Sequence, residues 1–440
     1  MSLSRTAAKR IADHVLAAAK LDEVTVECTA SQDGNTRFAN NEPTTTGDVA
    51  RLGISVTATQ YGRSATVSGN RSDKAALEAL VQQAEEMAQL APVDPEHVPL
   101  LGRQQYARVV ARDRATTRLG GKERAVAVAE VLAVGDAKGL RTAGLVSHAD
   151  RAYAIANKAG LFAYHASTSA SLSTTFRTGD GTGSGRASSV SYRYSDLDAG
   201  GTAAVAARKA ELSRNPQELA PGRYTVILEA QAVADLLGFM MWSLSTRSAD
   251  EGRSYFARPA GGNRIGEKLF HDRVTIKSDP SDKAHPASPV GRGGLPLGPQ
   301  TWIESGVLRS LTCGRYWAQK TGVAAVPYPS SIHMSGTDRS VDDLIAGADN
   351  AVLVTRFWYN RMVDPRSILV TGLTRDGTFH IRGGKISKSV KNFRYNESPV
   401  TLLKNVVALG KPQRVEGRFV TVVPPMVVHG FNFSSTSDAV

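Results

Sequence analysis

Histidines and cysteines are frequent metal ligands and nucleophiles, and this sequence arranges neither residue type in a local catalytic motif. The nine histidines are His14, His97, His148, His165, His271, His285, His333, His380 and His429. The closest pair in sequence, His271 and His285, is fourteen positions apart. A zinc-binding helix needs two imidazoles three or four residues apart, so that both project from one face. A local zinc motif is therefore excluded, whereas a site assembled from distant strands stays open.

The chain also lacks a recognisable nucleophile motif. No Gly-x-Ser-x-Gly elbow occurs, and Cys28 and Cys313 form no Cys-x-x-Cys pair. Cys28 lies on the apolar phase of an alternating segment, which favours a buried structural thiol over a reactive one. Cys313 precedes Gly314-Arg315, a more electropositive setting without a neighbouring base. Neither a disulfide framework nor a zinc ribbon is predicted, and a reducing cytosol fits best.

The composition limits the classes of protein that the chain can belong to. Its 440 residues exceed one ordinary core, so two or three domains are expected. The net charge of +12 would suit an acidic partner, yet Lys and Arg are scattered singly without a basic run. This pattern favours a solvated basic surface over a nucleic-acid groove. No apolar segment is long enough to span a membrane, so a cytoplasmic protein is predicted.

The N-terminal and middle regions read as helices alternating with sheet. Ser72-Asp73 is a helix cap, and Tyr61-Gly62 is typical of a hairpin turn. The Gly-rich residues 181–185 lack a Walker Lys and a following helix, so they favour a hairpin tip over a phosphate loop. The predicted helices are 4–21, 74–90, 122–137 and 199–215, and the predicted strands are 24–30, 49–60, 63–68, 140–147, 152–157, 161–178 and 188–194.

The C-terminal region begins with residues 224–243, where a buried strand turns directly into an apolar helix. Residues 246–298 are irregular, and a loop of this length usually has a function or awaits a partner. Turns then recur every eight to twelve residues or so, as in a barrel or sandwich. The predicted strands are 307–312, 351–359, 367–373, 378–382, 385–393 and 418–428, with short helices at 341–347 and 398–408.

These patterns predict an α+β fold, with an N-terminal α/β domain followed by a C-terminal, curved, barrel-like antiparallel sheet domain. Pro92 and Pro95 interrupt the helical pattern and suggest a boundary. The predicted divisions are residues 1–91 for the N-terminal α/β domain, 92–220 for a middle segment with helices and a long hairpin, and 221–440 for the C-terminal β-rich domain.

Several stretches, in the same order along the chain, resemble the TldD/PmbA family. The matching stretches are residues 48–63 with the helix after Ser72, 224–238, Ser278-Asp279-Pro280, 303–308, 340–345, 353–355, Asp376-Gly377-Thr378, 383–386 and 390–396. One member of this family is a zinc metallopeptidase, and the PmbA (TldE) member is its partner subunit. The resemblance covers nearly the whole chain and implies that two such subunits enclose a cavity.

The resemblance also implies that the zinc motif has been lost here. The His-Glu-x-x-x-His motif of the family falls on Gly238, Phe239 and Ser243, and a late cysteine ligand falls near Arg418. Glycine and phenylalanine cannot bind zinc or act as a base, and an arginine would repel the cation. The expected chain is therefore a metal-free, PmbA-like subunit with no catalytic or metal residues of its own, and zinc is expected in the partner.

The expected partners are a TldD-like, zinc-bearing subunit and an extended peptide substrate, with no nucleic acid and no membrane. A heterodimer is favoured, and a homodimer stays open. Aromatic, arginine and asparagine side chains that could equally belong to a core helix or an ordinary strand end are candidates for contacting the peptide or the partner, because interfaces are enriched in aromatics and Arg. They are Trp242, Arg356, Trp358, Tyr359, Asn360, Arg361, Arg394 and Asn396.

Three other hypotheses remain. The first is a stand-alone homodimer that binds peptides without cutting them. The second is an enzyme whose chemistry has moved to His333 or His380. The third is a DNA-binding protein, whose affinity would fall steeply with salt.

Overall fold

The N-terminal half is built on long antiparallel hairpins. The computed structural model describes residues 3–437. Six strands form one antiparallel sheet in the order β3-β2-β1-β4-β5-β6. Asn40 and Asn41, both at positive φ, make the turn between β1 and β2, as Asn does in tight hairpins. The strands are β1 Glu23–Ala39, β2 Glu42–Gln60, β3 Arg63–Gly69, β4 Arg141–Asn157, β5 Phe162–Arg177 and β6 Ser184–Ser191.

Four helices cover the face of this sheet that carries the alternate apolar residues of β1, from Val24 to Phe38. They are α1 Arg5–Ala18, α2 Lys74–Leu90, α3 Gly121–Lys138 and α4 Ala199–Leu212. The first two helices bury their apolar faces over one end of the sheet, and the last two over the other end. Cys28 lies in the first of these cores, and burial followed by the nearby Glu27 raises its pKa to about 11. The prediction of a buried thiol is therefore confirmed.

The C-terminal half contains a closed barrel and a second sheet. The barrel strands follow the ring β12-β7-β19-β15-β13, which the pairing of β12 with β13 closes. All of its pairs are antiparallel except β7 with β12. The second sheet has the order β10-β9-β8-β11-β18-β17. The strands are β7 Gly222–Leu228, β8 Ile276–Ser278, β9 Gln300–Glu304, β10 Val307–Leu308, β11 Ser331–Met334, β12 Asn350–Asp364, β13 Leu369–Arg382, β14 Lys385–Ser389, β15 Asn392–Glu397, β16 Val406–Leu409, β17 Gln413–Val415, β18 Val420–Val423 and β19 Met426–Ser437.

The largest core of the molecule lies between the barrel and the helix that follows strand β7. The helices of this half are α5 Ala230–Ser243, α6 Thr246–Asp250, α7 Arg315–Thr321, α8 Val341–Ala346 and α9 Pro399–Lys404. Helix α5 buries Val233, Leu236, Leu237, Met240 and Met241 against barrel residues, as expected for a helix that is apolar on most sides. No helix within residues 3–437 has the length and hydrophobicity needed to cross a bilayer.

The predicted α+β class with an N-terminal sheet and a C-terminal barrel is confirmed, while several strand limits were wrong. The predicted strands at 140–147 and 152–157 are one strand, β4. Those at 367–373 and 378–382 are also one strand, β13, because the Asp376-Gly377 turn signal lies inside the strand, where both residues have positive φ. The predicted strand at 385–393 divides into β14 and β15.

The sheet of the N-terminal half joins strands on both sides of the predicted boundary near residue 91. Strand β1 pairs along most of its length with β4, from Thr25 opposite Asn157 to Ala39 opposite Ala143. The division of the chain at residues 91 and 220 stays a prediction. The irregular residues 246–298 contain only α6, β8 and a short turn of helix at residues 292–294.

Candidate functional site

A cleft of about 600 Å³ lies between the N-terminal sheet and the second C-terminal sheet. Residues 167–171 of β5 form one side of this central cleft. Residues 286–291, 328–330 and 414–420 line the rest. The last of these segments contains Arg418, near which the family resemblance places a late cysteine ligand. One of the positions singled out from the sequence therefore lies in this cleft.

Helix α5 carries Gly238, Phe239 and Ser243, the positions on which the family resemblance places the zinc motif. A Cβ atom built on Gly238 would meet nothing within 4 Å, so a side chain at this position would enter open space. The Ser243 hydroxyl donates a hydrogen bond of 2.9 Å to the Phe239 carbonyl, one helical turn earlier. This hydroxyl is therefore engaged with the backbone of its own helix.

Arg418 lies beside this helix although it is far away in sequence. Its guanidinium carbon stands 4.6 Å from the centre of the Trp242 ring, a cation–π contact. Tyr328 packs against Trp242 at 6.2 Å and against Phe419 at 5.3 Å between ring centres. The structure thus brings together the two parts of the chain on which the family resemblance places the zinc ligands.

The residues at this place do not fit a zinc ion. Glycine, phenylalanine and tryptophan offer no ligand atom, and a guanidinium repels a divalent cation. Across residues 3–437, the structure groups no three His, Cys, Asp or Glu side chains in a way that could hold a metal ion. The chemistry left to this surface is stacking, hydrogen bonding and anion pairing.

A polar network near the start of α5 holds the helix to the segment that carries Arg418. The Gln231 side chain accepts from the Glu416 N–H at 3.2 Å and donates to the Glu416 carbonyl at 3.3 Å. The carboxylate of Glu416 pairs with Arg186 of β6. The Lys209 ammonium of α4 pairs with Glu229 at 2.6 Å. The network therefore joins both halves of the molecule around the start of α5.

Asp235 is a buried member of this network that sequence reasoning missed. Its carboxylate accepts from Gln231 Nε2 and from the Phe357 N–H, both at 2.9 Å. Burial raises its pKa to about 6, against the lowering effect of these bonds and of Arg356 and Arg186. It is the one charged residue within the apolar residues 230–243, and this isolation was the signal that could have identified it.

The predicted contact residues separate into three places. Trp242 is 57% exposed and packs against Arg418 and Tyr328, which line the central cleft. Arg356 is half-buried, and its Nη1 atom lies 3.4 Å from Asp376 Oδ2. Burial, followed by the Arg186 charge, lowers the pKa of Arg356. The others share one region of the barrel, because Trp358 and Arg394 both pair with Leu373, and Arg361 and Asn396 both pair with Thr371. In that region Tyr359 is exposed, while the Asn360 side chain accepts from the Tyr395 hydroxyl at 2.7 Å.

The two histidines considered for relocated chemistry lie apart from each other. His380 Nε2 lies 2.8 Å from Asn350 Oδ1 inside β13. His333 Nδ1 lies 3.5 Å from Asp282 Oδ2, and its ring centre lies 6.0 Å from that of His285. Burial is the main cause that lowers the pKa of each of these three histidines. Low pKa values favour neutral imidazoles in both places.

A second cleft, of about 770 Å³, follows the first part of β5. Residues 162–166 pair with β4 on one side, and β6 begins to pair only at Ala170. Residues 103–112 form the opposite wall and touch the strand at the bridge of Ala111 with Ser167. This β5-edge cleft therefore presents a strand edge without a neighbouring strand for about five residues.

Comparison with known proteins places the chain among metallopeptidase relatives. The sequence profile of the PmbA/TldA metallopeptidase C-terminal domain matches residues 221–435, and the profile of PmbA/TldA metallopeptidase domain 1 matches residues 26–88. A curated metalloprotease from Methanothermobacter thermautotrophicus is 26% identical over 164 residues, which are 34% of this chain and 36% of that protein. The alignment thus spans about one third of that relative's length.

Solved structures agree in fold over almost the whole chain. TldE from Thermococcus kodakarensis has a TM-score of 0.85 at 15% identity, over 96% of this chain and 99% of that one. A protein described as a modulator of DNA gyrase from Thermotoga maritima has a TM-score of 0.84 at 18% identity, over 97% and 100%. Another so described, from Bacteroides thetaiotaomicron, has a TM-score of 0.84 at 20% identity, over 98% and 100%. At these identities the likeness establishes the fold alone.

Proposed function

We propose a function for this chain on the basis that it belongs to the PmbA/TldD metallopeptidase family. In this proposal the chain is the metal-free, PmbA-like subunit of a two-subunit peptidase. A zinc-bearing, TldD-like subunit performs the cleavage, and this chain shapes the chamber in which an unfolded or ribosomally made peptide is held. The chain has no catalytic residue of its own in this arrangement.

The observation that carries the proposal is the chemistry around Gly238. The helix and the Arg418 segment lie side by side, as they would to form a metal site, yet their side chains there are Gly238, Phe239, Ser243 and Arg418. Four such positions without a zinc ligand cannot activate water. A family member with these residues needs another molecule to cut a peptide.

The β5-edge cleft supports the capture of an extended peptide. Main-chain hydrogen bonds from a strand edge do not depend on the peptide's sequence, so strand addition suits a variable, unfolded substrate. Residues 162–166 offer such an edge, and Arg103, Arg108 and Arg112 line the same cleft. In the proposal, the peptide lies between this edge and residues 103–112.

The barrel surface around Tyr359 supports contact with a second subunit. Tyr359 and Arg361 are exposed, Trp358 is half-buried with Arg375 4.4 Å from its ring centre, and Arg394 is exposed two strands away. Clusters of aromatic residues and arginines are typical of the central contacts of protein interfaces. We assign this surface to the partner, together with Asn360 and Asn396, whereas Trp242 faces the peptide chamber.

The proposal is tested by separating the subunits. The purified chain should contain no stoichiometric zinc and should not hydrolyse an unfolded peptide, and hydrolysis should appear when a TldD-like subunit from the same organism is added. Tyr359→Ala should weaken this reconstitution, because it removes an exposed ring from the proposed interface, while Arg208→Ala, an exposed change on α4, should not. Metal content and peptide cleavage are the measurements.

Two results would reject this function. Hydrolysis by the chain alone that a chelator abolishes would assign the chemistry to this chain, for example to His333 or His380. A stable homodimer that binds peptide but never supports cleavage with the added subunit would instead favour a stand-alone binding protein.

A further inference from the structure

The central cleft contains two arginines that have no carboxylate partner. Within residues 3–437, neither Arg414 nor Arg418 forms an ion pair, and the Nη1 atom of Arg414 is buried without a hydrogen-bond partner. Arg418 contacts the Trp242 ring and leaves the hydrogen-bonding edge of its guanidinium for other groups. A buried guanidinium without a counter-charge is costly for a folded protein.

The other charged groups of the cleft are already engaged. Arg151 donates to Asp33 Oδ1 at 3.0 Å. Among the described residues that line the cleft, Glu416 is the only acidic one, and its carboxylate pairs with Arg186 from β6. The unbalanced charge of the lining is therefore positive and belongs to Arg414 and Arg418.

A buried hydroxyl in the same lining is also without a partner. The Tyr328 hydroxyl makes no hydrogen bond in the described part of the chain, although it is buried. Burial raises the pKa of Tyr328, so this group stays a neutral O–H donor at neutral pH. Burial also lowers the pKa of Arg414, while the charges of Asp196 and Tyr192 act in the opposite direction without forming an ion pair with it.

We propose that the central cleft binds a carboxylate of the captured peptide through Arg414 and Arg418. A guanidinium offers two parallel N–H groups that match the two oxygens of a carboxylate, and the partial burial of Arg414 strengthens the bonds that this residue makes. The Tyr328 ring lines the same cleft, although its hydroxyl is buried beneath the surface. The carboxylate belongs either to the C-terminus of the peptide or to an Asp or Glu side chain. This inference rests on the proposed function, because it takes a peptide as the ligand.

The experiment uses the full chain without a partner subunit. Three fluorescein-labelled octapeptides of Gly, Ser and Ala residues are compared by anisotropy: one with a free C-terminal carboxylate, one with a C-terminal amide, and one amide with a single internal Glu. At least one acidic peptide should bind about 10-fold to 100-fold more tightly than the neutral amide, the range for a charge-assisted bidentate contact. The acidic peptide that binds identifies the source of the carboxylate.

Variants assign the preference to the two arginines. Arg414→Gln and Arg418→Gln should each remove most of the preference, whereas Arg208→Ala on α4 should keep it. Arg418 is exposed, so its variant should fold even if the Arg414 variant does not, and thermal melts check this. Equal affinity for the three peptides, no binding of any of them, or an unchanged preference in Arg418→Gln would overturn the inference. None of these measurements requires cleavage. The binding test therefore still decides the inference if reconstitution with a zinc-bearing subunit fails.

Discussion

At the scale of single residues, the buried carboxyl of Asp235 makes the stability of the fold depend on pH. The group lies within α5, receives hydrogen bonds from Gln231 and Phe357, and faces Arg356 and Arg186. Because burial raises its pKa to about 6, the folded state binds this proton more tightly than the unfolded state does. The folded state is therefore penalised as the pH rises from about 4 to above 6.

Replacing this residue should remove that dependence. We predict that wild type loses about 1–2 kcal/mol of unfolding free energy relative to Asp235→Asn between pH 5.0 and pH 7.5, which follows from the linkage of a raised acid pKa. Urea unfolding of both proteins at the two pH values measures the difference. A wild type that gains stability relative to the variant over this interval would contradict the assignment of a raised pKa.

Individual residues also show which features of the site could be predicted from the sequence and which could not. The absence of zinc ligands at Gly238, Phe239 and Ser243 could be read directly, because a ligand set depends on residue type and spacing. The pairing of Arg418 with Trp242 and the unpartnered Arg414 could not, because each depends on how a C-terminal segment folds back on α5. Residue types limit the chemistry, while tertiary packing decides which groups meet.

At the scale of elements, the β1–β2 hairpin and α3 are joined by an ion pair between a buried arginine and an exposed aspartate. Arg124 of α3 is fully buried and donates to both oxygens of Asp48, at 2.8 and 3.0 Å. These two bonds are the main reason that the pKa of Asp48 lies below its usual range. The guanidinium passes over Gly34 of β1, where an added Cβ would stand 2.3 Å from its Nη1 atom.

Gly34→Ala should therefore destabilise the N-terminal half. We predict a loss of about 3 kcal/mol in unfolding free energy, because the methyl group displaces a buried, charged side chain from its partner. Gly47→Ala, on the facing strand, is the matched control, since its Cβ would meet nothing within 4 Å, and it should cost less than about 1 kcal/mol. Denaturant unfolding compares the two, and similar losses would contradict a specific role for Gly34.

The elements themselves were the most predictable level of the structure. The helix at 74–90 was found with its exact limits, because a cap and an apolar face agree there. Strand limits failed where a local signal and the sheet disagreed, as at Asp376-Gly377 inside β13. The closure of the barrel and the passage of one sheet through residues 23–191 depend on contacts between distant strands, which a local pattern does not contain.

At the scale of the whole molecule, contacts between the two halves fix the clefts that β5 lines. The Ser184 hydroxyl of β6 donates to Asp376 of the barrel at 2.6 Å, and the Tyr106 hydroxyl donates to the Gly294 carbonyl at 2.5 Å. Lys209 and Glu229 add an ion pair. These contacts hold the N-terminal sheet against the C-terminal half, so the clefts are features of the complete chain.

Strand addition at the β5 edge makes a prediction about peptide ligands. Alternate residues of a bound strand direct their N–H groups towards β5, so N-methylation at those positions should weaken binding about 10-fold or more. N-methylation at the intervening positions, which face away from β5, is the control and should change affinity little. Equal effects of the two methylation patterns, measured by anisotropy with the full chain, would contradict strand addition.

Strand β5 lines both clefts, and this arrangement bears on the direction in which a peptide would bind. Its residues 162–166 line the edge cleft, and its residues 167–171 line the cleft with Arg414. A peptide that lies along residues 162–166, leaves the edge where Ala111 bridges to Ser167, and presents its final carboxylate to Arg414 would run parallel to β5, with its amino terminus directed towards residue 162. Such a polarity would decide which end of a substrate is anchored and which end stays free to reach the cutting groups of another subunit.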